Sequence, residues 1–164
     1  MIRELIEDIT FDRITLSQAL TRAKIIAFKI SNTEFKSWIN CEINGYKHNQ
    51  ELPDYRITSC DIYAEVMNPF HGKRLIPMDV SNLEMDDKLY KMRVIQSIAT
   101  LEDSLKNSGN QNFGYENLPM GLVNLLKNMV PEGDYITAIL RRVQFSQMRH
   151  IIDTTKQKLL DTLL

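Results

Sequence analysis

The hydrophobic period of this chain changes along its length, and that change limits the fold more than any other feature. Up to residue 46 the apolar side chains recur every three or four positions, the spacing of amphipathic helices. From Cys60 the period becomes two: Cys60, Ile62, Ala64 and Val66 share one face, and Asp61, Tyr63 and Glu65 take the other. A chain that switches in this way packs helices with an antiparallel sheet. The sequence therefore predicts an α+β fold: a mainly helical single domain over residues 1–164, with a small antiparallel sheet of two to three strands.

The helical part divides at its capping signals. Ile2, Leu5, Ile6 and Ile9 mark a short first helix. Thr15-Leu16-Ser17-Gln18 has the form of a capping box and opens a second, with Leu16, Ala19, Leu20, Ala23, Ile26, Ala27 and Ile30 on one face. Ser31-Asn32-Thr33-Glu34 repeats the box before a third helix through Phe35, Trp38, Ile39 and Ile43, which Gly45 ends. Residues 47–54 read as loop.

After the alternating stretch, Asn68 to Gly72 is a turn and Lys73 to Met78 a return strand, held to an edge because Pro77 has no N–H for the ladder. Asp86-Asp87 suits the positive end of a long helix carrying Val94, Ile98, Leu101 and Leu105. Pro119 opens a further helix with Leu122, Val123 and Leu126 inward, and residues 131–134 break it. Tyr135 to Gln144 is rich in β-formers and is expected as a third strand. Ser146 is expected to cap a last helix with Met148, Ile151, Ile152, Thr155, Leu159 and Leu163 on one face. That helix carries no stop signal before Leu163-Leu164, so the natural chain is expected to continue, or this end to pack into a partner.

Composition narrows the function by exclusion. Twenty basic against 21 acidic residues leave a formal charge of −1, without the cationic excess that nucleic-acid or polybasic membrane binding requires. Neither a nucleic acid nor a membrane is therefore an expected partner. Acids interrupt the apolar N-terminus, and no run approaches the roughly 18 apolar residues of a membrane helix, so a cytoplasmic protein is expected. Cys41 and Cys60 are expected as reduced thiols.

Chemistry-bearing motifs are scarce. His48, His71 and His150 are scattered, with no HExxH and no Cys/His cluster, so no metal is called for. The chain has no GxxxxGK[ST] or GxGxxG phosphate loop and no GxSxG elbow, and no Arg is followed four to six residues later by His, as in helical defence ribonucleases. No catalytic residue and no cofactor are assigned. Arg141 and Arg142 fall on opposite faces of a candidate strand, one of them expected near Asp134 or Glu132, with a phosphate site as the alternative.

Residues 16–56 are recognisable. Leu16, Ala19, Leu20 and Ala23 are followed by Trp38-Ile39-Asn40-Cys41-Glu42-Ile43-Asn44-Gly45-Tyr46 and then by Leu52-Pro53-Asp54-Tyr55-Arg56. This order resembles the opening of the AbiTii family, named after an abortive-infection system, whose segments run W-[IV]-x-x-E-[LI]-x-G-Y and L-P-x-Y-R. Ile151 to Asp161 is similar to that family's I-L-D-x-V-R-x-x-L-L helix, with Thr155 and Lys156 in place of Val and Arg. The resemblance implies bacterial anti-phage defence, and a domain placed at the N-terminus with more chain after it.

Within the motif, Trp38, Gly45 and Pro53 have structural chemistry: a core anchor, a turn and a fixed backbone angle. Glu42, Tyr46, Tyr55 and Arg56 carry two readings. One is an ion pair that fixes geometry; the other is a site that binds a phosphate or nucleotide, or does acid–base work. The expectation is a non-catalytic interaction or regulatory domain whose partner is another copy of itself or the C-terminal remainder of its chain. An effector enzyme, either a nuclease or a nucleotide hydrolase, is the alternative, as is a nucleotide-signal sensor.

Overall fold

A computed structural model of the chain describes residues 1–81 and 87–164. Within them lie six α-helices and six strands, and the chain divides into two compact units. The first comprises residues 1–56, 94–110 and 146–164; the second comprises residues 57–93 and 111–145.

The first unit is helical. Helix α1 (Ile2–Thr10) buries Leu5 and Ile9, and Asp8 on its inner side meets Arg22 at 2.7 Å. That hydrogen bond to Arg22 holds the Asp8 carboxyl below its usual range. Helix α2 (Leu16–Ile30) starts at Thr15 with the complete capping box, and buries Leu16, Ala19, Leu20, Ala23, Ile26 and Ala27. Its first two N–H groups, on Leu16 and Ser17, donate to the two carboxylate oxygens of Glu102, each at 3.2 Å. A carboxylate at the positive end of the helix dipole thus ties α2 to α4 (Ile98–Lys106).

Helix α3 (Thr33–Asn44) begins one residue later than the expected box at Ser31. Ser31 takes the left-handed conformation (φ 56°) that ends α2, and the side chain of Asn32 caps α3 by accepting from the Phe35 N–H at 3.1 Å. Helix α6 (Phe145–Leu163) buries Ile151, Thr155 and Leu159, and the Thr155 hydroxyl is satisfied by the Ile151 carbonyl at 2.8 Å. It starts at Phe145, so Ser146 lies inside its first turn rather than capping it.

The second unit carries the strands, and it corrects the expected small sheet. Two antiparallel sheets are present, one of two strands and one of four. The first pairs β1 (Ile57–Ser59) with β4 (Lys91–Arg93); the other runs β3 (Gly72–Met78), β2 (Asp61–Asn68), β6 (Tyr135–Gln144), β5 (Phe113–Asn117). The fold is mixed α+β rather than mainly helical with two to three strands. Strands β1, β4 and β5 escape sequence reading because they are three to five residues long and bury at most one side chain each. A strand without a buried alternating face leaves no period-two signature.

Strand β4 also replaces the first half of the long helix expected from Asp86. Lys91, Met92 and Arg93 pair with Ser59, Thr58 and Ile57, and α4 begins only at Ile98, where the Ser97 hydroxyl accepts from the Thr100 N–H. Val94, Ile98 and Leu101 are all buried, so a strand end and a helix together reproduce helical spacing. Asp86 itself lies outside the described residues. Pro119 precedes a short chain of 3-10 and α turns, with α5 only four residues long (Val123–Leu126).

The core of this unit gathers Ile62, Ala64 and Val66 from β2, Ile136 and Ile139 from β6, and Met78, Val80, Leu118 and Leu126 around them. Strand β3 is an edge strand and carries Pro77 opposite Tyr63. At its other end Arg74 pairs with Asp134, which also accepts from Asn68 at 2.8 Å; these bonds, Asn68 first, keep the Asp134 carboxyl below its ordinary value. Asp134 is thus held by Arg74 and not by the arginine pair. Arg141 donates to the Leu89 and Lys88 carbonyls at 2.9 and 3.0 Å, with Glu116 at 3.7 Å. The Arg142 guanidinium lies 4.5 Å from the Tyr63 ring centre and 4.0 Å from that of Phe113, and meets Asp61 at 3.4 Å.

Candidate functional site

The four polar residues of the sequence motif come together inside the first unit. Helix α3 places Glu42 on the face that also buries Phe35 and Ile39. Gly45 then ends the helix with φ +87° and ψ 166°, a backbone region open almost only to glycine. A Cβ at this position meets the Ile95 carbonyl oxygen at 3.0 Å. The turn swings Tyr46 back over the helix, where its N–H donates to that same carbonyl at 2.8 Å. Leu52 is buried, and Pro53 leads into a 3-10 turn over Asp54–Arg56, its carbonyl accepting from the Arg56 N–H at 2.9 Å. That turn delivers Tyr55 and Arg56 to the carboxylate.

Glu42 and Arg56 are both fully buried and form an ion pair through Oε2 and Nη2. The second carboxylate oxygen, Oε1, accepts from the Tyr46 hydroxyl at 2.7 Å and from the Tyr55 hydroxyl. Tyr55 in turn accepts from the Trp38 indole N–H at 2.8 Å, so a relay runs Trp38 to Tyr55 to Glu42. Nη1 of Arg56 donates to the carbonyls of Val94 and Gln96 at 3.1 and 2.6 Å, and the Tyr46 ring centre lies 5.2 Å from the guanidinium carbon. The Arg56 carbonyl accepts from the Val94 N–H at 2.8 Å. One charged pair therefore ties together the end of α3, the 3-10 turn and the segment leading into α4.

Trp38 is only half-buried, so it edges the core rather than anchoring it. Its ring stacks on Phe35 at 6.3 Å between centres, and the Lys158 ammonium from α6 stands 4.8 Å from its ring centre. Lys158 also stands 5.9 Å from the ring centre of Tyr55. Neither Lys158 nor the carbonyls of Val94 and Gln96 carried a sequence signal, since a cation over a ring and a backbone acceptor follow from the folded path alone.

The electrostatics set what this cluster does chemically. Burial pushes both phenols up, and the neighbouring Glu42 carboxylate adds to the effect; Tyr55 is raised to about 12, and Tyr46 also stands well above its ordinary value. Near neutral pH both keep their protons and act as hydrogen-bond donors. The carboxylate is occupied by three donors and withdrawn from solvent, so an incoming phosphate reaches Arg56 only if Arg56 releases Glu42. Uncovering either buried charge costs several kcal/mol, about 3–5 for pairs of this type. The geometry is that of a closed internal clamp.

The remaining polar groups stand apart. His48, His71 and His150 are exposed, and among the described residues no group of His, Cys, Asp and Glu is placed to hold a metal. Burial raises the Cys60 thiol, while Cys41 accepts from the Gln50 amide at 3.1 Å. No helix among the described residues is long and apolar enough to cross a membrane.

Another feature lies on the outer side of α2, where Ile25 and Phe28 are 56% and 73% exposed. The helix is apolar on more than one face: Ile25 and Phe28 fall off the buried stripe, a sequence signal that the single-face reading passed over.

No curated protein and no solved structure matches the chain. The AbiTii family model does, over residues 1–164, so the match includes the W-I-x-x-E-I-x-G-Y and L-P-D-Y-R segments that build the clamp as well as both compact units. The chain belongs to the AbiTii family, and so to abortive-infection defence against phage.

Proposed function

We propose that this chain is a non-catalytic interaction and regulatory domain in an abortive-infection defence system, acting by binding a protein partner. The observation that carries this reading is the apolar outer side of α2, where Ile25 and Phe28 stand in solvent on a well-capped helix. Exposed large apolar side chains are unremarkable singly; a neighbouring pair on one rigid helix face marks a surface that gains by being covered. The clamp supports the same reading from the other side. Glu42, Tyr46 and Tyr55 bond to one another, to Trp38 and to Arg56, whose Nη atoms also hold backbone carbonyls while its Nε is buried without a partner among the described residues. A cluster so closed suits holding a surface rigid rather than turning over a substrate.

Phage plating on cells that rely on the defence system tests the reading, comparing the natural protein with Ile25→Ser/Phe28→Ser. Both sites are exposed, so the variant keeps its fold, with stability changed by about 0.5 kcal/mol or less per site. The expected outcome is a folded protein that no longer protects. Undiminished protection by the folded variant contradicts the proposal.

A further inference from the structure

The apolar side of α2 forms one wall of a groove. Ile25 and Phe28, with Lys24 and Lys29 from the same helix and Lys36 and Asn40 from α3, line a concave space of about 330 Å³. The lysine stems extend the hydrocarbon wall and their ammonium ends place positive charge at the rim. Lys36 holds its ammonium 4.8 Å from the Phe28 ring centre, and among the described residues neither Lys24 nor Lys29 forms an ion pair. The groove is therefore apolar inside and cationic around, on a chain whose formal charge is −1 overall.

Resting on the binding role proposed above, we infer that this groove takes an acidic amphipathic helix from a partner protein. Apolar residues at i, i+3, i+4 and i+7 of such a helix seat against Ile25 and Phe28, and its flanking Glu or Asp side chains meet Lys24, Lys29 and Lys36. The stretch from Lys24 to Lys29 covers about 9 Å of α2 at 1.5 Å per residue, so two to three turns of partner are enough. Charge decides against the nearest competitors. A second copy presenting the same face brings three ammonium groups against three others, and like charges in an apolar contact repel. A bilayer is broad, whereas the apolar surface here is confined to one small concave space lined by α2 and α3. Three lysines at the rim also fall short of the cluster of about four to eight Lys/Arg that reads as a binder of anionic lipid.

Fluorescence anisotropy on the purified chain tests this. One probe is a labelled helical peptide of about 14 residues, four turns, with Leu at the i, i+3, i+4, i+7 positions and Glu on the flanks. A second has Lys in place of every Glu. The Glu peptide binds saturably, weakens as salt is raised, and binds Lys24→Glu/Lys29→Glu at least about tenfold more weakly. The Lys peptide binds that reversed variant better than it binds the natural chain, a gain that loss of fold cannot imitate. Equal binding of the two peptides, or no response to charge reversal, overturns the inference. So does sedimentation of the natural chain, but not the reversed variant, with phosphatidylglycerol vesicles. So does a dimer by light scattering that Phe28→Ser dissolves. These outcomes leave the binding role standing, because that role falls only if the Ile25→Ser/Phe28→Ser protein still protects against phage.

Discussion

Arg56 pairs with Glu42 where no solvent reaches either side chain, and the same guanidinium also holds the carbonyls of Val94 and Gln96. A buried charge pair is poor in net stability, because desolvation cancels much of the attraction, but it is intolerant of losing one member. Here that intolerance is spread over three chain segments.

Glu42→Gln keeps the shape of the side chain and removes its charge, leaving the Arg56 guanidinium buried without a counter-ion. The expected loss is about 3–5 kcal/mol by denaturant unfolding. Arg56→Ala also strands the Val94 and Gln96 carbonyls, so it is expected to cost at least as much. In a double-mutant cycle the two losses together fall short of their sum, since either change alone already destroys the pair. Additive losses are inconsistent with the coupling described.

Tyr55→Phe removes the hydroxyl that links Trp38 to Glu42. A buried acceptor and a donor each lose a partner, at an expected cost of about 1–3 kcal/mol in thermal or denaturant unfolding. Tyr46→Phe removes only one hydrogen bond to Glu42 and keeps the ring beside Arg56, so it is expected to cost no more than Tyr55→Phe.

Alkaline titration separates the phenols from other groups. Tyr55 has an ordinary value of 10.0 and stands at about 12 in the folded protein, so the unfolded chain loses this proton first. The stability that Tyr55 confers is complete below pH 10 and falls as pH rises from there toward 12. Stability measured against pH is expected to drop less steeply across this range in Tyr55→Phe than in the natural protein. Identical slopes contradict the placement of the phenol against Glu42.

Gly45→Ala is expected to destabilise the fold by about 1–3 kcal/mol, because φ +87° with ψ 166° is strained for any residue with a Cβ. The added methyl also meets the Ile95 carbonyl at 3.0 Å, the group that accepts from Tyr46. Unchanged thermal stability argues against this turn geometry.

The parts of the fold that speak through side-chain periodicity were legible in the sequence. Thr15 and Gln18 form their capping box, Gly45 ends α3, and Ile62, Ala64 and Val66 face the core of the sheet. Pro77 lies on an edge strand, as its missing N–H requires. What stayed hidden depends on pairing at a distance. Lys91 to Arg93 is a strand because Ile57 to Ser59 lies beside it, and Phe113 to Asn117 because β6 does. Local propensity has no access to either partner. The motif named Glu42, Tyr46, Tyr55 and Arg56 together, but only the folded path shows the carboxylate enclosed by three donors. The α2 groove was missed for the opposite reason: Leu20, Ala23 and Ala27 gave so clear a buried face that Ile25 and Phe28 went unweighed.

The measurement that tests the account most directly is phage protection by Glu42→Gln and by Tyr55→Phe, each shown by circular dichroism to be folded at the assay temperature. A clamp that only holds geometry predicts that both folded variants still protect. Loss of protection in a folded Tyr55→Phe or Glu42→Gln protein contradicts the account and makes this cluster the seat of a chemical step.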